Sequence, residues 1–197
     1  MTMKTRCIEI VFCCLTLSLA GGCRNKRSDI KSSVSVVSKM ATAAAKEDYM
    51  GGIAIGENYL RENPGDSNVL EQTAVLALAQ AKRDQGNREP LVARAVLLLE
   101  RSIEGSHPQK DNADLFDRFL AARDFESAGD LSSDRCPYYS RALTLNNGVE
   151  GALSVRSIRS QDEKATAAEP LREQSRQLHS ELEKRMSESR CGPETKQ

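Results

Sequence analysis

Six cysteines and two histidines are the residues of this 197-residue chain best suited to nucleophilic, redox or metal chemistry. His107 lies in a Gly-Ser-His-Pro turn and His179 in a charged helical stretch. Neither has a second His or a Cys at the short spacing that a zinc site needs. No two cysteines form the C-x-x-C pattern of a redox pair. There is no Gly-x-Ser-x-Gly elbow, phosphate loop or dinucleotide fingerprint, and Gly51-Gly52 opens a helical stretch without a phosphate-binding continuation. Asp and Glu are abundant, but they fall on amphipathic segments whose solvated faces account for them. The expectation is a protein with no catalytic centre, no metal, no cofactor and no small-molecule substrate.

The cysteines separate by position. Cys7, Cys13 and Cys14 lie in an apolar run, Cys7 to Leu19, behind the basic Lys4 and Arg6, and small residues Ala20-Gly21-Gly22 then precede Cys23. A basic start, an apolar centre and a small-residue end form the layout of a secretory signal peptide. The apolar run is shorter than the roughly 20 residues of a membrane-spanning helix. Leu19-Ala20-Gly21-Gly22-Cys23 resembles the lipobox of bacterial lipoproteins, with two departures: Ala20 stands where a larger aliphatic residue is usual, and Glu9 interrupts the apolar run. The resemblance implies cleavage after residue 22, a diacylglycerol thioether on Cys23 and attachment to a membrane by lipid. Residue 24 is Arg and not Asp, which by the same resemblance implies the outer membrane, facing the periplasm, in a Gram-negative source. Residues 23–33 are polar and charged and read as a tether. Export would leave Cys136 and Cys191 in an oxidising compartment, where they either pair as a disulfide or remain free.

These residues need a scaffold, and composition indicates its kind. Hydrophobic residues make up 39% of the chain and aromatics only 4%, with no Trp, so Ala and Leu must fill the core. That favours closely packed helices over aromatic-rich sheets. Formal net charge is zero, which leaves no basic field for nucleic acid. Helical periodicity runs through the mature part. Val34 to Tyr49 reads as a first helix and Gly51 to Glu62 as a second, stopped by Asn63-Pro64-Gly65-Asp66, with Asp66 or Ser67 capping the next. Leu70, Ala74, Ala77 and Ala81 share one face of a third helix over about 68–82. Pro90 suits the first turn of a fourth, whose stripe is Leu91, Ala95, Leu98, Leu99 and Ile103. A fifth begins near Asn112 with Leu115, Phe119, Ala122 and Phe125, and Gly129-Asp130 reads as its closing turn. A sixth carries Tyr138, Tyr139, Ala142 and Leu143 and ends near Asn146-Asn147-Gly148. Val149 to Ser160 reads as a separate short helix, and Pro170 as the start of the last, with Leu171, Leu178, Leu182 and Met186 in a stripe.

Helix pairs joined by short turns resemble tetratricopeptide repeats, whose period is about 34 residues. Three degenerate copies carry the resemblance. The first is Asp48-Tyr49, Ile53-Ala54-Ile55, Tyr59-Leu60 and the Asn63-Asp66 turn. The second is Ala74 and Ala77 against Ala95, Leu99 and Ser102. The third is Ala122, Phe125, Gly129-Asp130, Tyr139 and Arg141-Ala142-Leu143, with Asn147 in place of the usual closing proline. The fold class expected is therefore all-α, a solenoid of about three such repeats over 34–147, followed by C-terminal helices over 148–190, the last of them capping the stack, and a tail over 191–197. Such stacks present a face to protein partners. The resemblance thus implies an interaction scaffold for a protein or peptide of the bacterial cell envelope, of the kind that assists assembly of a pilus or secretion system. The alternative is a structural or surface lipoprotein with no peptide groove. Tyr138 and Tyr139 form the most aromatic patch, either anchoring a partner or dividing between one core ring and one part-exposed ring.

Overall fold

The computed structural model describes residues 32–105, 112–159 and 164–191; side chains are described for all of these except 105, 112–113, 156–159 and 164–167. The described residues are helical, with no strand. In chain order the helices are α1 (residues 32–45), α2 (Tyr49–Leu60), α3 (Ser67–Arg83), α4 (Arg88–Gly105), α5 (Asn112–Leu131), α6 (Cys136–Arg159) and α7 (Lys164–Glu188). None is long and apolar enough to cross a membrane.

Local chemistry sets the boundaries. α1 stops earlier than its Ala-rich composition suggests, and Tyr49 belongs to α2. Asp48 N donates to Ala43 O and Glu47 N to Ala44 O, with Glu47 in the left-handed region (φ 59°). This is a Schellman stop made with a residue other than the usual glycine. The Asp48 carboxylate then caps α2 by accepting from Gly51 N, and Asp66 caps α3 by accepting from Val69 N and from the Tyr59 hydroxyl.

The stripes legible in the sequence are the core. Leu70, Ala74, Ala77 and Ala81 are buried, as are Leu91, Ala95, Leu98 and Leu99, then Leu115, Phe119, Ala122 and Phe125, and finally Leu178 and Leu182. Ile103, Leu143, Leu171 and Met186 pack against this core only partly buried. Where α2 passes Met40, Ala43, Thr73 and Leu76, glycine is needed. A Cβ on Gly52 would lie 2.6 Å from Leu76 Cδ1, and one on Gly56 would overlap the Thr73 hydroxyl.

Four turn and boundary expectations are corrected. Gly129-Asp130 is no turn, because α5 continues to Leu131. Gly129 is small because the Tyr139 ring lies against it; a Cβ there would sit 2.5 Å from Tyr139 Cε1. Asn146-Asn147-Gly148 does not end α6. Asn146 is fully buried and donates Nδ2–H to Ser175 O of α7, while the Ser175 hydroxyl donates to Asn146 Oδ1. With those polar groups satisfied and Leu145, Val149 and Leu153 buried alongside, the helix gains more from continuing than Gly148 costs it, roughly 1 kcal/mol. A division of the chain at 147/148 thus falls inside one helix. Pro170 does not start α7 but lies within it. Its missing N–H removes one intrahelical bond, and Arg172 ties the same stretch to α6 by donating to Leu153 O.

Consecutive helices pack together from α2 to α7. In addition α3 packs on α5 and α5 on α7. The even-numbered helices meet differently: their backbones stay apart and long side chains bridge them. Arg94 of α4 pairs with Glu57 of α2, and Arg141 of α6 pairs with Glu100 of α4 in a two-pronged contact at 2.9 and 2.6 Å.

Candidate functional site

The lipobox residues Leu19, Ala20, Gly21 and Gly22 and the proposed lipid acceptor Cys23 lie outside the described residues, as does His107. Among the described residues no group of His, Cys, Asp and Glu could hold a metal ion. His179 is half-buried between α6 and α7, with Nδ1 3.9 Å from Glu150 and Nε2 3.3 Å from Glu183.

The structure divides the two tyrosines. Tyr139 is 2% exposed, seated on Gly129, with its hydroxyl donating to Asp130 at 2.8 Å; burial, then that bond, push its pKa up. It is a core residue, so of the pair only the half-buried Tyr138 can meet a partner. Replacing Gly129 by alanine should force the ring aside and cost about 1–3 kcal/mol, read as a lower midpoint in urea unfolding. An unchanged midpoint would mean the ring is not fixed there.

Tyr139 belongs to a polar cluster where α7 meets α5. Glu126, only 3% exposed, sits mid-helix and is held by Arg123 at 2.8 Å and by Arg185 at 3.1 Å. Arg185 also pairs with Asp130 and, at 2.8 Å, with Glu181. The hydrogen bond to Arg185 holds the Glu181 carboxyl below its ordinary value, whereas burial raises that of Glu126. Three acids around one guanidinium match its fork of donors, a geometry lysine cannot reproduce. At the end of the same helices Cys136, the first residue of α6, is bonded to Cys191, just past α7, with Cα atoms 5.4 Å apart.

A second charged surface lies along α3 and α5. Asp124 has its pKa pushed up to about 7, by burial first and then by Glu71, with Lys82 and Arg123 opposing. Glu71 and Asp117 are raised too, by burial and then by Asp117 and Asp114 respectively. Beside them a 40 Å³ cavity is lined by Ser67, Glu71, Ser102, Asp117 and Arg118, among others. It is open and large enough for water but not for a substrate. Val75 on α3 and Phe116 on α5 are 36% and 46% exposed. Sequence reading missed Glu126 and Asp124 because an acidic residue every few positions looks the same whether it faces water or a neighbouring helix.

No protein-family model, curated protein or solved structure matches the chain.

Proposed function

We propose that the chain is a membrane-anchored protein–protein interaction scaffold of the bacterial cell envelope, lipidated at Cys23 and built as a solenoid of three tetratricopeptide-like helix pairs closed by α7. The observation that carries the reading is the asymmetry between odd and even helices. α3 packs directly on α5 and α5 on α7, while α2, α4 and α6 are spanned by Arg–Glu pairs in the same sense, Glu57 to Arg94 and then Glu100 to Arg141. Close packing on one side and long bridges on the other is what a stack curving toward its odd helices requires, and a bridge repeated at successive junctions is what repeats predict. The odd helices then form the inner face, where Val75, Phe116 and the carboxylates of α3 and α5 would meet a partner. The Cys136–Cys191 bond is in keeping with export to an oxidising compartment. Assistance to a pilus, secretion system or other envelope assembly is the role that fits a tethered scaffold, by analogy of fold alone.

A second reading, a structural lipoprotein without a groove, draws support from Tyr139, whose burial removes one of the two aromatic anchors. Affinity capture of the lipidated protein from its native membrane separates the two. A stoichiometric envelope partner whose capture is lost on Phe116→Glu supports the scaffold, and recovery of the protein alone supports the structural role. Anchoring has its own test. Cys23→Ser should lose the lipid mass and move the protein from membrane to soluble fraction; an unchanged membrane-bound mass would sink the lipid anchor.

A further inference from the structure

We propose that the Cys136–Cys191 bond is a reducible latch that locks the last turn of α7 to the start of α6, so that thiol exchange releases residues 186–191 while the rest of α7 stays docked. The proposal stands on the helix ends and does not depend on the scaffold reading.

Three features of the placement carry it. The first is the position of Cys136. As the first residue of α6 it lies where the helix leaves the N–H groups of Cys136 and Tyr138 without an intrahelical acceptor, Pro137 between them having none, and Arg135 next to it outweighs the more distant Asp134 as the neighbouring charge. A helix N-terminus and an adjacent cation both stabilise a thiolate, and so favour this sulfur as a leaving group and lower the energy of the reduced form. The second is the position of Cys191. α7 stops in a Schellman turn, in which Cys191 N donates to Met186 O at 2.9 Å and Arg190 N to Ser187 O at 3.1 Å, with Arg190 at φ 56°. A side chain in the left-handed region is disfavoured, so once the bond is cut the turn that presents Cys191 is left to its two backbone hydrogen bonds working against that cost, and it frays more readily. The third is the division of α7 into two zones. Up to Arg185 it is held without covalent help, by Ser175 on Asn146, by buried Leu178 and Leu182, and by the Arg185 cluster. Among the described residues beyond Arg185, the apolar ones that pack against the core are part-buried Met186 and Cys191 itself. Both cysteines are part-exposed, so a thiol can reach the bond.

The exchange balances simply. The thiolate of a thiol reductant attacks Cys191 Sγ, the bond between the protein sulfurs breaks, and the electron pair leaves on Cys136 Sγ. A second reductant thiol then attacks the mixed disulfide and displaces Cys191. Two protein thiols form, and two reductant thiols are oxidised to one disulfide. Because the released turn frays, the two thiols separate, which lowers their tendency to close again. Release takes Met186 and Cys191 away from the end of the bundle, where Leu131 and Tyr138 are part-buried.

The test equilibrates the purified oxidised protein with reduced and oxidised glutathione, without denaturant. Thiols are trapped by alkylation and counted by mass, and deuterium uptake is followed by segment. Two thiols should appear in folded protein, with uptake rising over 186–191 and unchanged over α3 and α4. Arg190→Gly should favour the bonded form about fivefold, since the strain driving release is gone. Arg135→Glu should favour it about two- to fivefold by destabilising the Cys136 thiolate. Thiols that appear only after denaturation, equal uptake over 186–191 in the two forms, or variants that leave the equilibrium unmoved would each overturn the latch.

Discussion

Arg185→Ala should destabilise the protein by about 3 kcal/mol, the lower end of what breaking a buried ion pair costs. The loss comes less from missing attraction than from what stays behind. Glu126 would remain 3% exposed in the α5–α7 seam with only Arg123, a half-exposed neighbour, to balance its charge. Asp130 and Glu181 would lose their shared donor as well. Replacing both ends of the pair, Glu126→Leu with Arg185→Met, should recover most of the loss, because no charge is then left buried without a partner. Urea unfolding of the two variants decides the matter. If the double variant is as unstable as Arg185→Ala, the cluster acts through shape and not charge.

Asp124→Asn should stabilise the protein at pH 8 and leave it unchanged near pH 4. The folded-state carboxyl titrates at about 7, against 3.8 when free of the fold, with burial as the main cause and Glu71 second. Between those values the folded state binds more protons than the unfolded one. Stability contributed by the protonated form is therefore complete below about pH 4 and is lost as pH rises through 7. At about 1.36 kcal/mol per unit, the penalty of the charged form is at most about 4 kcal/mol, and water reaching the part-exposed side chain reduces it to about 2. Asparagine keeps the shape without the charge. The measurement is the unfolding free energy of both proteins at pH 4.5 and pH 8. A difference that fails to grow with pH would mean Asp124 is solvated in the folded state.

The main stripes of the core are legible in the sequence because apolar residues at i, i+4 and i+7 fall on one side of a helix, and burial of that side is what sets the pattern. Leu70-Ala74-Ala77-Ala81 and Leu178-Leu182 stand out on that basis alone, as do the Asp66 cap and the turn around Pro64. What sequence could not reveal is partnership between distant polar residues. Asn146 looks like a helix terminator until Ser175, on another helix, satisfies it. Gly129 looks like a turn until a tyrosine ring is laid on it. Glu126 and Arg185 are two more charges in a chain that is 28% charged, and only folding makes them a pair. The same limit applies to the candidate surface: Tyr138 and Tyr139 are adjacent in sequence, yet their exposures differ because successive helical residues point about 100° apart.

The Asn146–Ser175 pair bears on which helices this molecule can refuse. α7 packs along α6 over an apolar seam, and a purely apolar seam there would accept almost any amphipathic helix, including one from a second copy, so that molecules could chain together head to tail. Asn146 makes the seam discriminating. An intruding helix with Leu or Ala at the depth of Ser175, or α7 itself slid by a single turn, would leave the buried amide without a partner. One stranded polar group costs on the order of 1–3 kcal/mol, which disfavours an incorrect occupant by roughly 5- to 150-fold. A residue that contributes little net stability when correctly matched thus helps keep the chain folded on itself.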